Sequence, residues 1–227
     1  MSAPIWRHSP NFGPRRNGAR PQLVVLHYTA MDDPAEVLAR LCDPSTSVSA
    51  HYVIGRDGTI WQLVADADRA WHAGQGGWLG VEDVNSRSLG IELVNTGCEP
   101  FSAPQMHALS QLMRVLMTRW SIAPVDVIGH SDMAPERKDD PGPRFDWRRL
   151  AREGYALWPE GLGADRPLDA SLDRIGYPPG PGAQRLAAFR ARFLPAASGP
   201  ECVEDRRRAE AVATGFCRAR GIARPGY

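Results

Sequence analysis

The chain is 227 residues long, 43% apolar and 23% charged, with a net charge of +1. That length suits one large domain, or a medium one with a small companion, and the composition is that of a soluble globular protein. The small net charge gives no reason to expect nucleic acid or an anionic membrane as partner, and no apolar run reaches the roughly 18 residues a membrane span needs.

Residues 10–21, rich in Pro, Gly and Arg, read as an extended lead-in. Leu23–Tyr28 is a short β-branched apolar run, a buried strand by its length. Asp33 and Pro34 open a predicted helix over Pro34–Cys42, with proline at the first helical position. Ala50–Ile54 and Thr59–Val64 flank Gly55-Arg56-Asp57-Gly58 and predict a hairpin. Ser88–Val94 predicts another strand, in which Glu92 faces the side opposite Ile91 and Leu93. Met106, Leu109, Leu112, Met113, Leu116 and Trp120 recur at helical spacing and predict a helix over Pro104–Trp120, its methionines being core filler. Val125–Gly129 predicts a strand that delivers His130 at its C-terminal end, and Trp147–Trp158 predicts a helix.

Strands interleaved with helices, plus one hairpin, predict an α/β (α+β) fold: a mixed β-sheet flanked by helices. This catalytic domain is expected over residues 1–160. A Gly- and Pro-rich linker near 159–168 leads to three short predicted helices around Leu172–Tyr177, Gln184–Phe193 and Val203–Ala219. They form a small C-terminal three-helix domain over 167–227, short enough to be expected to lean on the first. Residues 166–227 carry eleven arginines against six acids, a surplus read as a solvated helix face. The four cysteines contain no C-x-x-C pair and make no disulfide framework, although Cys202 and Cys217 could pair under oxidising conditions. The N-terminal residues have no apolar signal region, from which a soluble, cytoplasmic protein is expected, with the periplasm as the alternative.

His27 ends one predicted strand, His130 ends another, and Asp140 follows ten residues later. Two imidazoles and one carboxylate are a ligand set for catalytic zinc with one position left to water, although a lone strand-end His is more often structural. Glu92 in an apolar strand calls for a salt bridge, an outward orientation, or service as a general base. Lys138 is the one lysine in the chain, against twenty-six arginines. A compact ammonium, unlike a guanidinium fork, suits the stabilisation of a small oxyanion.

Five segments in order resemble the zinc-dependent N-acetylmuramoyl-L-alanine amidases of the type 2 family, related to the peptidoglycan recognition proteins. They are Val24-Val25-Leu26-His27-Tyr28, Ser49-Ala50-His51-Tyr52-Val53-Ile54-Gly55-Arg56-Asp57-Gly58, Arg69-Ala70-Trp71-His72-Ala73-Gly74, Ser88-Leu89-Gly90-Ile91-Glu92-Leu93, and the stretch from Gly129-His130-Ser131-Asp132 through Arg137-Lys138 to Asp140-Pro141-Gly142-Pro143. The resemblance covers about residues 8–150. It implies His27, His130 and Asp140 as ligands of one zinc ion per chain, Glu92 as acid/base residue and Lys138 as transition-state stabiliser. It implies that Arg69, Trp71 and Leu93 line the muramyl-peptide groove. His72 is not a ligand in the pattern, His51 reads as a structural strand residue, and His8 and His107 carry no match. Some relatives place Tyr where Ala50 stands; its absence resembles the AmpD-like bacterial branch and moves the catalytic burden to Glu92.

The reaction implied is hydrolysis of the amide joining N-acetylmuramoyl, or 1,6-anhydro-N-acetylmuramoyl, to L-Ala of the stem peptide, in peptidoglycan turnover, recycling or cell wall degradation. The expected partners are peptidoglycan or muropeptide fragments, with no nucleic acid, no membrane span and a monomeric state. The tail is similar to the three-helix peptidoglycan-binding domain appended to such amidases, although the usual Phe-Gln pair reads Phe189-Arg190 here. A non-catalytic peptidoglycan-binding or sensing module is the alternative, disfavoured because all ligand positions and the acid are present. A glycosidase with paired carboxylates leaves His27, His130 and Lys138 unexplained.

Overall fold

The structure is a computed structural model that describes residues 3–222. Its strands are β1 (Ile5–Trp6), β2 (Phe12–Gly13), β3 (Leu23–Tyr28), β4 (Tyr52–Ile54), β5 (Ile60–Gln62), β6 (Arg69–Ala70), β7 (Ser88–Leu93) and β8 (Val127–Gly129). Its α-helices are α1 (Pro34–Cys42), α2 (Val84–Arg87), α3 (Ala103–Trp120), α4 (His130–Met133), α5 (Trp147–Arg152), α6 (Leu168–Ile175), α7 (Gly182–Phe193) and α8 (Val203–Ala219). The main sheet has the order β1-β5-β4-β7-β3-β8, and β2 pairs with β6 in a separate ribbon.

The sheet is mixed. β3 lies parallel to both β7 and β8, β4 runs parallel to β7, and the β4–β5 hairpin is antiparallel. β3 and β7 are in register along all of β3, from Leu23 opposite Ser88 to Tyr28 opposite Leu93. Alternation then assigns two faces. Val24, Leu26, Leu89, Ile91 and Leu93 share a hydrophobic cluster with Met106, Leu109, Leu112, Met113 and Leu116 of α3. That stripe is what turns the helix onto the sheet, and Ser102 caps its start by accepting from Gln105 N–H. The opposite face carries Leu23, Val25, His27, Ser88, Gly90 and Glu92. Leu23 and Val25 pack there in one cluster with Leu168, Leu172, Ile175, Phe189, Phe193, Val212 and Phe216 of the C-terminal helices. Segment 159–167 contains no helix or strand, and the apolar cluster continues across it. Three short helices cannot bury all their apolar faces on one another, so they bury them against the sheet.

Several expectations need correction. α5 stops at Arg152 instead of running to Trp158, because Gly154 takes a positive φ and its N–H bonds back to Ala151 O. The 10–21 segment is more than a lead-in. β2 pairs with β6, and the Arg15 guanidinium donates to the carbonyls of Asp66, Ser86 and Ser88. The C-terminal arginines are not simply a solvated face. Arg185, Arg190 and Arg192 are buried, and each is paired: with Asp169 and Asp173, with Asp205, and with Asp132. A buried guanidinium is tolerable only with such partners.

Candidate metal centre

His27 is the penultimate residue of β3, and its registered neighbour on β7 is Glu92. The two side chains therefore share a face, on strands roughly 4.8 Å apart. β8 ends at Gly129, so His130 opens α4 immediately beyond the edge of the same sheet. Asp140 comes from the following loop, whose backbone is tied back by Ser131 N–H donating to Asp140 O at 2.9 Å. All three side chains are buried. His27 Nδ1 lies 2.9 Å from His130 Nδ1 and 2.9 Å from Asp140 Oδ2, and His130 Nδ1 lies 3.1 Å from the same oxygen. Among the described residues these three form the one group of His, Cys, Asp or Glu arranged to hold a metal ion.

The protons around this triangle can be placed by following the hydrogen bonds outward. His130 Nε2 is 3.0 Å from the Ala73 carbonyl, which can only accept, so Nε2 carries the proton and Nδ1 a lone pair. Ser88 Oγ donates to the Val84 carbonyl at 2.7 Å. Its contact with His72 Nε2, at 3.1 Å, must then be donated by His72. His72 Nδ1 is consequently an acceptor, and His27 Nε2, 3.0 Å away, donates to it. His27 Nδ1 is left with a lone pair.

Burial supports neutral rings at His27 and His72. It pushes the His27 pKa down to about 4, with the His130 ring adding to the effect, and pushes His72 well below the ordinary value. Two nitrogen lone pairs and an anionic oxygen thus converge with no proton to share. That arrangement is repulsive by itself and fits a divalent cation, with two imidazoles and one carboxylate leaving a coordination position open.

Sequence reasoning set His72 aside as a non-ligand, yet it fixes which His27 nitrogen is free. The residue that admits it is Gly90: a Cβ there would lie 2.4 Å from His72 Cγ, so only glycine lets the imidazole pack on β7. The usable signal was a Gly and a Ser alternating with Glu92 on one face of an otherwise apolar strand. Both His51 ring nitrogens are engaged by backbone, Nδ1 with Gly90 N–H and Nε2 with Asp68 O.

Glu92 is half-buried, but its Oε2 is fully buried and has no hydrogen-bond partner. Burial raises its pKa well above the ordinary carboxylate value, the Asp140 charge adds to this, and the Lys138 charge works against it. Lys138 is exposed, close enough for its charge to act on both Glu92 and His27. Arg69 is bound by Asp83, with Nη2 donating to Oδ1 at 2.9 Å, and Trp71 is half-buried, its backbone N–H donating to Ser49 Oγ. Leu93 departs from the expected groove position. It is wholly buried on the opposite face of the sheet from Glu92, in the cluster under α3.

Three side chains that could hold a metal, an unpartnered buried carboxylate oxygen and a nearby ammonium, set on a mixed α/β sheet, are the parts a hydrolytic metal centre needs. A family model described as N-acetylmuramoyl-L-alanine amidase matches residues 17–143. The N-acetylmuramoyl-L-alanine amidase AmiD of Escherichia coli K12 is 38% identical over 189 residues, spanning 70% of this chain and 67% of AmiD. The 1,6-anhydro-N-acetylmuramyl-L-alanine amidase AmpD of Citrobacter freundii is 36% identical over 160 residues, spanning 63% of this chain and 85% of AmpD. The structure of E. coli AmiD with anhydro-N-acetylmuramic acid-L-Ala-D-γ-Glu-L-Lys superposes with a TM-score of 0.78 at 32% identity, covering 91% of this chain and 93% of that one. AmpDh3 of Pseudomonas aeruginosa, in complex with an anhydromuramic pentapeptide, superposes with a TM-score of 0.77 at 32% identity, covering 88% and 94%. The chain belongs to the N-acetylmuramoyl-L-alanine amidase family.

Proposed function

We propose that this chain is a zinc-dependent amidase that cleaves the bond between the lactyl group of N-acetylmuramoyl, or its 1,6-anhydro form, and L-Ala of the stem peptide. The observation that carries the reading is the set of three candidate ligand atoms within 3.1 Å of one another, with the unpartnered Glu92 Oε2 on the adjacent strand. His27 Nδ1, His130 Nδ1 and Asp140 Oδ2 would hold one zinc ion. The chemistry zinc supplies when bound is Lewis acidity toward the scissile carbonyl and easier ionisation of water.

The chain's own residues account for the proton traffic. Glu92, with its pKa raised by burial, takes a proton from the attacking water and returns it to the leaving amide nitrogen. The Lys138 ammonium compensates the charge that develops on the carbonyl oxygen. Arg69 and Trp71 flank the approach for the muramyl-peptide; the Arg69–Asp83 pair keeps the guanidinium in place. The AmiD and AmpDh3 complexes with anhydromuramyl peptides support this substrate class.

The test is to incubate the purified chain separately with soluble anhydro-muropeptides and with intact sacculi. Mass spectrometry should detect free peptide beginning at L-Ala, and metal analysis should find one zinc per chain. A folded protein that releases no peptide from either substrate, or that cuts the glycan instead, refutes the reading. Turnover confined to the soluble arm supports the cytoplasmic recycling role, and turnover of sacculi the periplasmic one.

A further inference from the structure

Asp132 is buried two residues beyond His130, in the single turn of α4. Its Oδ2 accepts from Gly129 N–H at 2.8 Å and from Arg192 Nη1 at 2.7 Å; its Oδ1 accepts from Tyr177 O–H at 2.5 Å. Arg192 belongs to α7, and Tyr177 follows α6. Both are buried. Arg192 also donates to Val127 O at 3.2 Å and lies 4.0 Å above the Trp147 ring. The C-terminal helices thus hold the ends of β8 and α4, between which the chain passes into His130.

A second line of contacts reaches the same ligand from its other side. The Ala73 carbonyl orients the His130 ring. The residues after it dock on α4 and on the C-terminal helices: Gly77 N–H donates to Met133 O, Leu79 N–H donates to Gly176 O at 2.9 Å, and Trp78 meets the Tyr177 ring edge-on at 5.5 Å. One helical turn has almost no stability of its own. No helix or strand follows α4 before α5. The direction of His130 therefore depends on what grips Asp132 and the 73–79 segment, and Tyr177 is common to both.

We propose that Tyr177 and Arg192 are positioning residues of the metal centre, acting through Asp132 to set the direction of His130, so that the C-terminal helices tune metal binding as well as packing on the sheet. This inference rests on the reading of the site as a metal centre.

The test uses the full-length chain with Tyr177→Phe and Arg192→Lys. Arg190→Lys is the control, because it loosens a buried ion pair of the same helices, Arg190–Asp205 at 2.6 Å, that does not touch α4. Each protein is loaded with zinc and titrated with a chromogenic chelator. Each is also loaded with cobalt(II) to read the visible bands of the ligand field, and the thermal unfolding of the metal-free forms is recorded. Tyr177→Phe should stay folded, lose metal to about tenfold less chelator, and shift the cobalt bands. Arg192→Lys should do the same, while Arg190→Lys lowers the unfolding temperature and leaves affinity and bands as in wild type. A folded Tyr177→Phe with wild-type affinity and bands overturns the inference alone. So does an Arg190→Lys that weakens metal binding as much as Tyr177→Phe. A wild-type chain that binds no zinc overturns the metal reading and this inference with it.

Discussion

Replacing His72 by Phe isolates the proton arrangement on which the metal centre depends. The ring can still lie against Gly90, but both nitrogens are gone. His27 Nε2–H loses its acceptor and Ser88 Oγ loses a donor, at 3.0 and 3.1 Å in the wild type. Each buried group left unpaired costs about 1–3 kcal/mol. In the metal-free protein His27 recovers much of this by moving its proton to Nδ1, which lies 2.9 Å from Asp140 Oδ2. A hydrogen bond to a charged group is worth roughly 1.5–3 kcal/mol, so the metal-free fold loses little. The metal-bound state has no such recourse, because the Nδ1 lone pair is the ligand. The loss then falls on affinity, about 10- to 100-fold, or roughly 1.4–2.7 kcal/mol.

The assays are chelator competition for affinity, urea unfolding of the metal-free protein for stability, and imidazole nitrogen NMR for the tautomer. The spectra should find the His27 proton on Nε2 in wild type and on Nδ1 in metal-free His72→Phe. Wild-type affinity in the variant, or a wild-type spectrum with the proton on Nδ1, refutes the argument. Equal damage to metal-free stability and to affinity would mean that His72 only fills space. Gly90→Ala should reproduce the affinity loss, because its Cβ would occupy the space of the His72 ring.

Further outcomes follow from burial and charge. Glu92→Gln should keep its zinc and lose about 10²- to 10⁴-fold in turnover; wild-type kcat/KM would remove Glu92 as the proton carrier. In the metal-free state the raised Glu92 pKa means that the folded chain holds a proton the unfolded chain releases above about 4.5. The Glu92 contribution to stability falls as pH rises past that value, and Glu92→Gln should remove it, read as the pH dependence of the difference between variant and wild-type urea midpoints from pH 4 to 7. The buried His27 and His51 have the opposite sign. Each is neutral down to about 4, whereas the unfolded chain takes up protons near 6.5, so both withdraw stability as pH drops through that window. Replacing His51 with Gln should flatten the acid side of the metal-free stability curve; an unchanged slope would contradict its burial as a neutral ring. Leu93→Ala should destabilise the fold by about 2–5 kcal/mol, as a core cavity does, with KM unchanged in the folded fraction; a selective rise in KM would return Leu93 to the groove.

The sequence made legible those parts of the fold that repeat a pattern over more than one turn or pleat. The Leu23–Tyr28 run, the α3 stripe and the Gly55–Gly58 hairpin all lie where periodicity and turn chemistry placed them. β1, β2 and β6 are two residues each and α4 is one turn, too short for either period to register, although α4 carries the candidate ligand His130. Leu93 shows a different failure. The alternation that puts Glu92 toward His27 puts its chain neighbour on the α3 face, so the two could not flank one groove, and the strand period already contained that answer.

His72 and Arg192 illustrate what no local pattern carries. The effect of His72 on His27 depends on Ser88 and Gly90, brought beside it by strand β7. Arg192 looks like any arginine on an amphipathic helix until Asp132, sixty residues earlier, is folded against it. The candidate ligands were legible because each lies at or just past the end of a strand or in a distinctive loop. What orients them was not, because hydrogen bonds between residues distant in the chain leave no periodic trace, and a buried arginine with its aspartate reads one residue at a time like two solvated charges.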